Sequence, residues 1–234
     1  MENLTKNDDQ LVAGEKVAGG RMQRKSFLRY AGAGAAAIGM FAAAACSKHH
    51  DDASAGVDVG AGDIGVLNYA YALEQLEAAF YIQVVATPYT GMTSAELSAF
   101  TDIRDHEILH REFLKAALGT SAIQSLGVNF SSINFTDRTS VLTAAKAFED
   151  TGVSAYNGAG YIITNPAYLT LAGKIVSVEA RHAAFIRDTI NYGSFADNTV
   201  VDATTALDLS RKPSQVLPIV AVYLTTNVTA NQLP

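Results

Sequence analysis

Residues 105–114 read DHEILHREFL and residues 175–188 read IVSVEARHAAFIRD. Glu107-Ile108-Leu109-His110 and Glu179-Ala180-Arg181-His182 are thus the same motif, Glu-x-x-His, at positions 72 residues apart. On a helix this spacing puts the carboxylate and the imidazole on one face, where both can grip one ion. With nine Glu and five His in 234 residues, chance supplies only about 0.2 such pairs. Each pair is preceded by a lone glutamate in an apolar setting: Glu74 stands 33 residues before Glu107, and Glu149 stands 30 before Glu179. Tyr81 follows Glu74 by seven residues and Tyr156 follows Glu149 by seven, a coincidence expected about 0.4 times by chance. The chain reads as two related helical hairpins, each contributing a Glu and a Glu-x-x-His.

Punctuation around these motifs defines four helices. The first runs from Ile64 to Ala86, without proline, and stops at the turn signal Thr87-Pro88-Tyr89-Thr90-Gly91. Thr93-Ser94-Ala95-Glu96 has the spacing of a capping box and opens a second helix that ends at Leu118-Gly119. A third spans Asp137 to Thr164, and Asn165-Pro166 permits only a tight break before a fourth that runs to Tyr192-Gly193. The outer two connections are short and the middle one, residues 119–136, is long. Eighteen extended residues reach about 60 Å, against roughly 37 Å for a 25-residue helix, so the middle connection can run the length of a bundle. The expected fold class is all-α, a four-helix bundle over residues 64–193 with one long crossover between the second and third helices, which is the ferritin-like arrangement. Residues 194–234 form a C-terminal extension with a short helix expected over 214–225.

The segments LNYAYALEQLEAAFY (67–81), DHEILHREFL (105–114), FEDTGVSAYNGAGYI (148–162) and IVSVEARHAAFIRD (175–188) resemble the bacterial ferritin-like domain family that includes plant desiccation-related proteins. The resemblance implies six metal ligands, Glu74, Glu107, His110, Glu149, Glu179 and His182, with Tyr81 and Tyr156 beside them. Charge supports the same set, because four carboxylates and two divalent ions sum to zero and a neutral site can sit in an apolar bundle. Glu74 and His110 are assigned to one ion, Glu149 and His182 to the other, and Glu107 and Glu179 bridge. Oxygen-rich donors with one imidazole per ion suit iron or manganese and do not exclude zinc. Each tyrosine hydroxyl can hydrogen-bond a ligand carboxylate or simply be core. Glu77 reads as an additional ligand or as a bundle-edge residue, and His106 as a surface or hydrogen-bonded histidine near the site. Arg181 and Arg187 read as solvated or paired with surface acids.

The leading functional expectation is a redox protein in which paired ferrous ions react with oxygen or peroxide, as in a ferroxidase, peroxidase or oxidase. The alternative is a structural or stress-protective protein in which metal is absent or only staples the helices.

The N-terminus sets the compartment. Residues 24–46 read RKSFLRYAGAGAAAIGMFAAAAC, a basic stretch, an uncharged run too short to span a bilayer, and then the only cysteine. Residues 1–45 resemble a signal peptide of twin-arginine type, with lysine in the second place, ending in a lipobox-like Ala43-Ala44-Ala45-Cys46. Export to the cell envelope follows, with either acylation of Cys46 and membrane anchoring through it, or plain cleavage after Ala45. Residues 46–63 read as a flexible tether carrying solvated His49 and His50. With one cysteine, no thiolate cluster or intrachain disulfide can form. Removing residues 1–45 leaves 11 basic against 19 acidic side chains, a net charge of −8, which argues against nucleic-acid binding.

Overall fold

The computed structural model describes residues 56–234; the expected signal peptide, the acylation site Cys46 and His49 and His50 lie outside the described residues. Four long helices dominate: α1 (Gly62–Ala86), α2 (Ser94–Leu118), α3 (Arg138–Gly160) and α4 (Pro166–Ile190). A short α5 (Pro213–Val220) follows, and two short strands, β1 (Val57–Asp58) and β2 (Val228–Thr229), pair in parallel. Among the described residues no helix is long and apolar enough to cross a membrane.

The caps are the ones the residue types favour. Thr93 Oγ1 accepts from the Glu96 amide at 3.2 Å while Glu96 Oε2 accepts from the Thr93 amide at 2.9 Å, which satisfies two free donors at the start of α2. Asp137 accepts from the Ser140 amide to open α3, and Asn165 accepts from the Ala167 amide just before Pro166 opens α4. Asp63 links two parts of the bundle. Its carboxylate accepts from the Thr164 and Asn165 amides at 2.7 and 2.9 Å, tying the start of α1 to the α3–α4 turn.

The sequential pairs α1–α2 and α3–α4 pack most extensively, forming two hairpins, and α1 also packs on α3. The connection 119–136 runs back along α1, fixed by two buried amide side chains. Asn68 donates to the carbonyls of Val59 and Ser121 and accepts from the Ile123 amide; Gln75 accepts from the Leu126 amide at 2.8 Å. Such bonds let a loop backbone lie against a helix without stranding its polar groups. They also explain why α1 is buried on nearly every side. One end of the core is a cluster of rings: Phe80 meets Tyr81 and Phe148 edge to face at 5.0 Å, and Phe148 meets Tyr223 at 4.8 Å. Each such pair contributes about 0.5–1.5 kcal/mol beyond area burial.

The termini depart from expectation. Residues 56–63, read as tether, instead include β1, the buried Val59 and the first turn of α1. The C-terminal extension is part of the fold. Its short helix covers Pro213–Val220 rather than 214–225 and buries Val216 and Val220. Upstream, Arg211 donates its amide to the Ser154 carbonyl at 2.9 Å, and Asn157 donates to the Leu209 carbonyl. This close approach needs Gly158, where a Cβ would lie 1.8 Å from the Arg211 carbonyl oxygen. The third helix ends at Gly160 and the fourth at Ile190, four and two residues before the expected Thr164 and Tyr192.

Candidate metal centre

Each of the four long helices sends glutamate into the bundle interior. Glu74, Glu107, Glu149 and Glu179 are completely buried, His182 is 4% exposed, and the His110 side chain is 13% exposed. The donors form two overlapping groups, Glu74, Glu107, His110 and Glu179 on one side and Glu107, Glu149, Glu179 and His182 on the other. Within each group the donor atoms lie within 4.8 Å of one another, and Glu107 and Glu179 belong to both. His110 Nδ1 is 2.7 Å from Glu179 Oε1 and 3.6 Å from Glu74 Oε2; His182 Nδ1 is 2.8 Å from Glu107 Oε1 and 3.5 Å from Glu149 Oε2.

These short distances are not matched by hydrogen-bond alignment. Glu74 Oε2, Glu149 Oε2, both oxygens of Glu107 and Glu179, and the Nδ1 atoms of both histidines are buried with no hydrogen-bond partner. Buried polar atoms almost always have partners. Eight unpartnered donors converging on two adjacent points fit a pair of cations, and carboxylate oxygens with imidazole nitrogens are the set for a divalent transition metal.

The other oxygens of the lone glutamates are committed, and crosswise. Tyr156 on α3 donates to Glu74 Oε1 on α1 at 2.5 Å, and Tyr81 on α1 donates to Glu149 Oε1 on α3 at 2.5 Å. Each bond aims the remaining Oε2 at the centre. Burial, and then the facing carboxylate, raise both phenols far above their ordinary pKa, so they stay protonated donors.

The electrostatics without metal are severe. Burial and the charges of Glu179 and Glu74 push Glu107 well above the carboxylate range, and burial raises Glu149 to about 7. Glu179 goes the other way, to about 2, because contacts with His110 and His182 outweigh its burial. Burial opposes charge on His110, yet Glu107, Glu179 and Glu74 overcome it and carry the pKa to about 12; His182 is raised in the same way. The two imidazoles thus favour the protonated form beside Glu179, and Glu107 the neutral one.

Four further residues sharpen the reading. Glu77, read as ligand or bundle edge, is not at the edge: it is 3% exposed and belongs to neither donor group, with Oε1 lodged where a Cβ on Gly152 would come within 2.8 Å. Its pKa is raised well above normal by burial and by the four ligand carboxylates. His106 is exposed but bonded, its Nδ1 2.9 Å from His182 Nε2 and its ring stacked on His182 at 5.2 Å. Arg181 is solvated and bonds only within its own helix, to Ser177. Arg187 is paired with acids, the second of its two readings, but it is buried rather than solvated. It is 2% exposed, pairs with Asp150 through two 2.7 Å bonds, and reaches Thr199 and Asp197 in the C-terminal extension. No periodic signal marks it, since its partners are a loop and an acid 37 residues away.

The sequence profile of the ferritin-like domain matches residues 62–192. No curated protein matches the chain. The profile covers more than half of the 234 residues and all eight residues described above as donors and tyrosine partners, and the chain belongs to the ferritin-like domain family.

Proposed function

We propose that the cluster binds two divalent ions, iron in the first place, and serves the oxidation of ferrous iron by dioxygen or peroxide. The observation that carries this reading is the set of eight buried, unpartnered donor atoms shared between two overlapping groups. Glu74 with His110 would hold one ion and Glu149 with His182 the other. Glu107 and Glu179, which belong to both donor groups, would bridge. A bound pair of ferrous ions supplies two electrons at one place, the number needed to reduce dioxygen to peroxide or peroxide to water.

The chain's own groups prepare that chemistry. Tyr81 and Tyr156 hold one oxygen of each lone glutamate, act by positioning the carboxylates, and keep their own protons. The two imidazoles, and the carboxylates whose pKa is raised, would lose their protons on binding a metal, so metal uptake would release protons to solvent. Four carboxylates against two divalent charges leave the filled site neutral, which permits its full burial. The N-terminal reading completes the proposal: export of the chain and anchoring through an acylated Cys46 would place this centre at the cell envelope.

The test is to load the full chain anaerobically with ferrous iron and then follow oxidant consumption. Consumption of dioxygen or peroxide, coupled to oxidation of the bound iron, supports the redox reading. Two tightly held ions with no consumption of either oxidant would favour a purely structural, stress-protective role instead.

A further inference from the structure

The two halves of the metal centre match in ligands but not in surroundings. Around Tyr81 the space is filled: its ring lies 5.0 Å from Phe80 and 6.2 Å from Phe100, and Phe80 is backed by Phe130, Phe135 and Phe148. Around Tyr156 there is a cavity of about 30 Å³, lined by residues that include Ala70, Leu73, Phe113, Ala159, Tyr168 and Ile175. Tyr156 forms part of its wall, and the hydroxyl of that tyrosine sits on Glu74. Leu73 on the same wall directly precedes Glu74 in the chain. Phe113, Tyr168 and Leu171 are half-buried and form the side toward the surface.

We propose that this cavity is the dioxygen site of the protein and serves the ion held by Glu74 and His110. Three properties select the occupant. The volume exceeds the roughly 10–15 Å³ that one water-sized molecule needs, so the cavity has room for a small guest. The lining is almost wholly apolar, and a water there would lack the two to four polar partners that retain one, so the cavity favours an apolar guest. Its inner end is a tyrosine bonded to a ligand carboxylate, so a guest sits one side chain from the centre. Peroxide, which needs hydrogen bonds, is not matched by this lining and would approach by another route. The assignment makes the two ion positions unequal: one faces an apolar cavity and the other a packed cluster of aromatic rings. It rests on the redox reading given above.

The test uses the full chain and two substitutions of opposite effect, Ala159→Val to fill the cavity and Ile175→Ala to enlarge it. Xenon serves as the probe, read by its NMR shift or by anomalous scattering in crystals under pressure, with no need of metal. Xenon should occupy the wild-type cavity, bind at least tenfold more weakly to Ala159→Val, and bind severalfold more tightly to Ile175→Ala. After loading with ferrous iron, Ala159→Val should react with dioxygen about tenfold more slowly, while ferrous affinity and the rate with peroxide stay within twofold. Absence of xenon from the wild-type cavity overturns the assignment, as does ordered water in its place. A dioxygen rate in Ala159→Val equal to wild type overturns the cavity alone and leaves the redox reading standing. Wild-type protein that takes up xenon but consumes neither oxidant overturns the redox reading, and the dioxygen assignment with it.

Discussion

Replacing Glu149 by glutamine should make the metal-free protein more stable and the metal-loaded protein less so. The buried Glu149 carboxyl keeps its proton up to about pH 7, against an ordinary value of 4.5. The folded state thus takes up this proton more readily than the unfolded chain, and wild-type stability falls as pH climbs from 4.5 through 7. Each pH unit in that window costs about 1.4 kcal/mol, so ionised Glu149 costs about 3 kcal/mol at pH 8 and less than about 1 at pH 5. Glutamine mimics the protonated acid and removes the cost. It also weakens the bond that Tyr81 donates at 2.5 Å, since the acceptor is no longer charged, a loss of about 1 kcal/mol. The net gain near pH 8 is about 2 kcal/mol, or roughly 4–8 °C in melting temperature for a domain of this size. Thermal melts of chelator-treated protein at pH 5 and pH 8 measure it: Glu149→Gln should melt well above wild type at pH 8 and close to it at pH 5. With ferrous iron or manganese present the order should invert. A metal-free variant that melts at or below wild type at pH 8 would refute the claim that the carboxylate is held in place at a cost which only cations relieve.

Other perturbations probe separate parts of the account. The raised pKa values of His110, His182 and Glu107 mean that at least two protons leave when metal enters; apparent affinity for the ion pair should tighten by about a hundredfold or more per pH unit between pH 6 and 8, and a pH-independent isotherm would contradict this. Arg187→Ala strands the partly buried Asp150 and frees Asp197 and Thr199; it should cost about 3 kcal/mol and open residues 194–212 to limited proteolysis. Gly158→Ala forces the Arg211 carbonyl off α3, so it should loosen the same segment and lower stability by about 1–3 kcal/mol while metal stoichiometry is unchanged.

Fold and site were legible in the sequence to the extent that each rests on local periodicity. Thr93 with Glu96 and Asn165 with Pro166 announce helix starts because capping is decided within four residues. Glu107 with His110 and Glu179 with His182 announce a site because i, i+3 spacing makes one helical face. The crosswise pairing of the tyrosines, by contrast, depends on how α1 and α3 lie against each other, and no spacing within a helix specifies it. Arg187, Asn68 and Gln75 were silent for a related reason: each satisfies loop backbone or acids far along the chain. The parallel pairing of Val57–Asp58 with Val228–Thr229 joins segments some 170 residues apart and is too short to leave a pattern.

The central claim is that two ions sit in one buried cluster bridged by Glu107 and Glu179. Elemental analysis of the reconstituted, desalted protein, paired with anomalous scattering from its crystals, tests that claim most directly. The account predicts two ions per chain, both lost when Glu107 and Glu179 are together replaced by alanine. Fewer than one ion per folded wild-type chain, or two ions retained in the double variant, would contradict it.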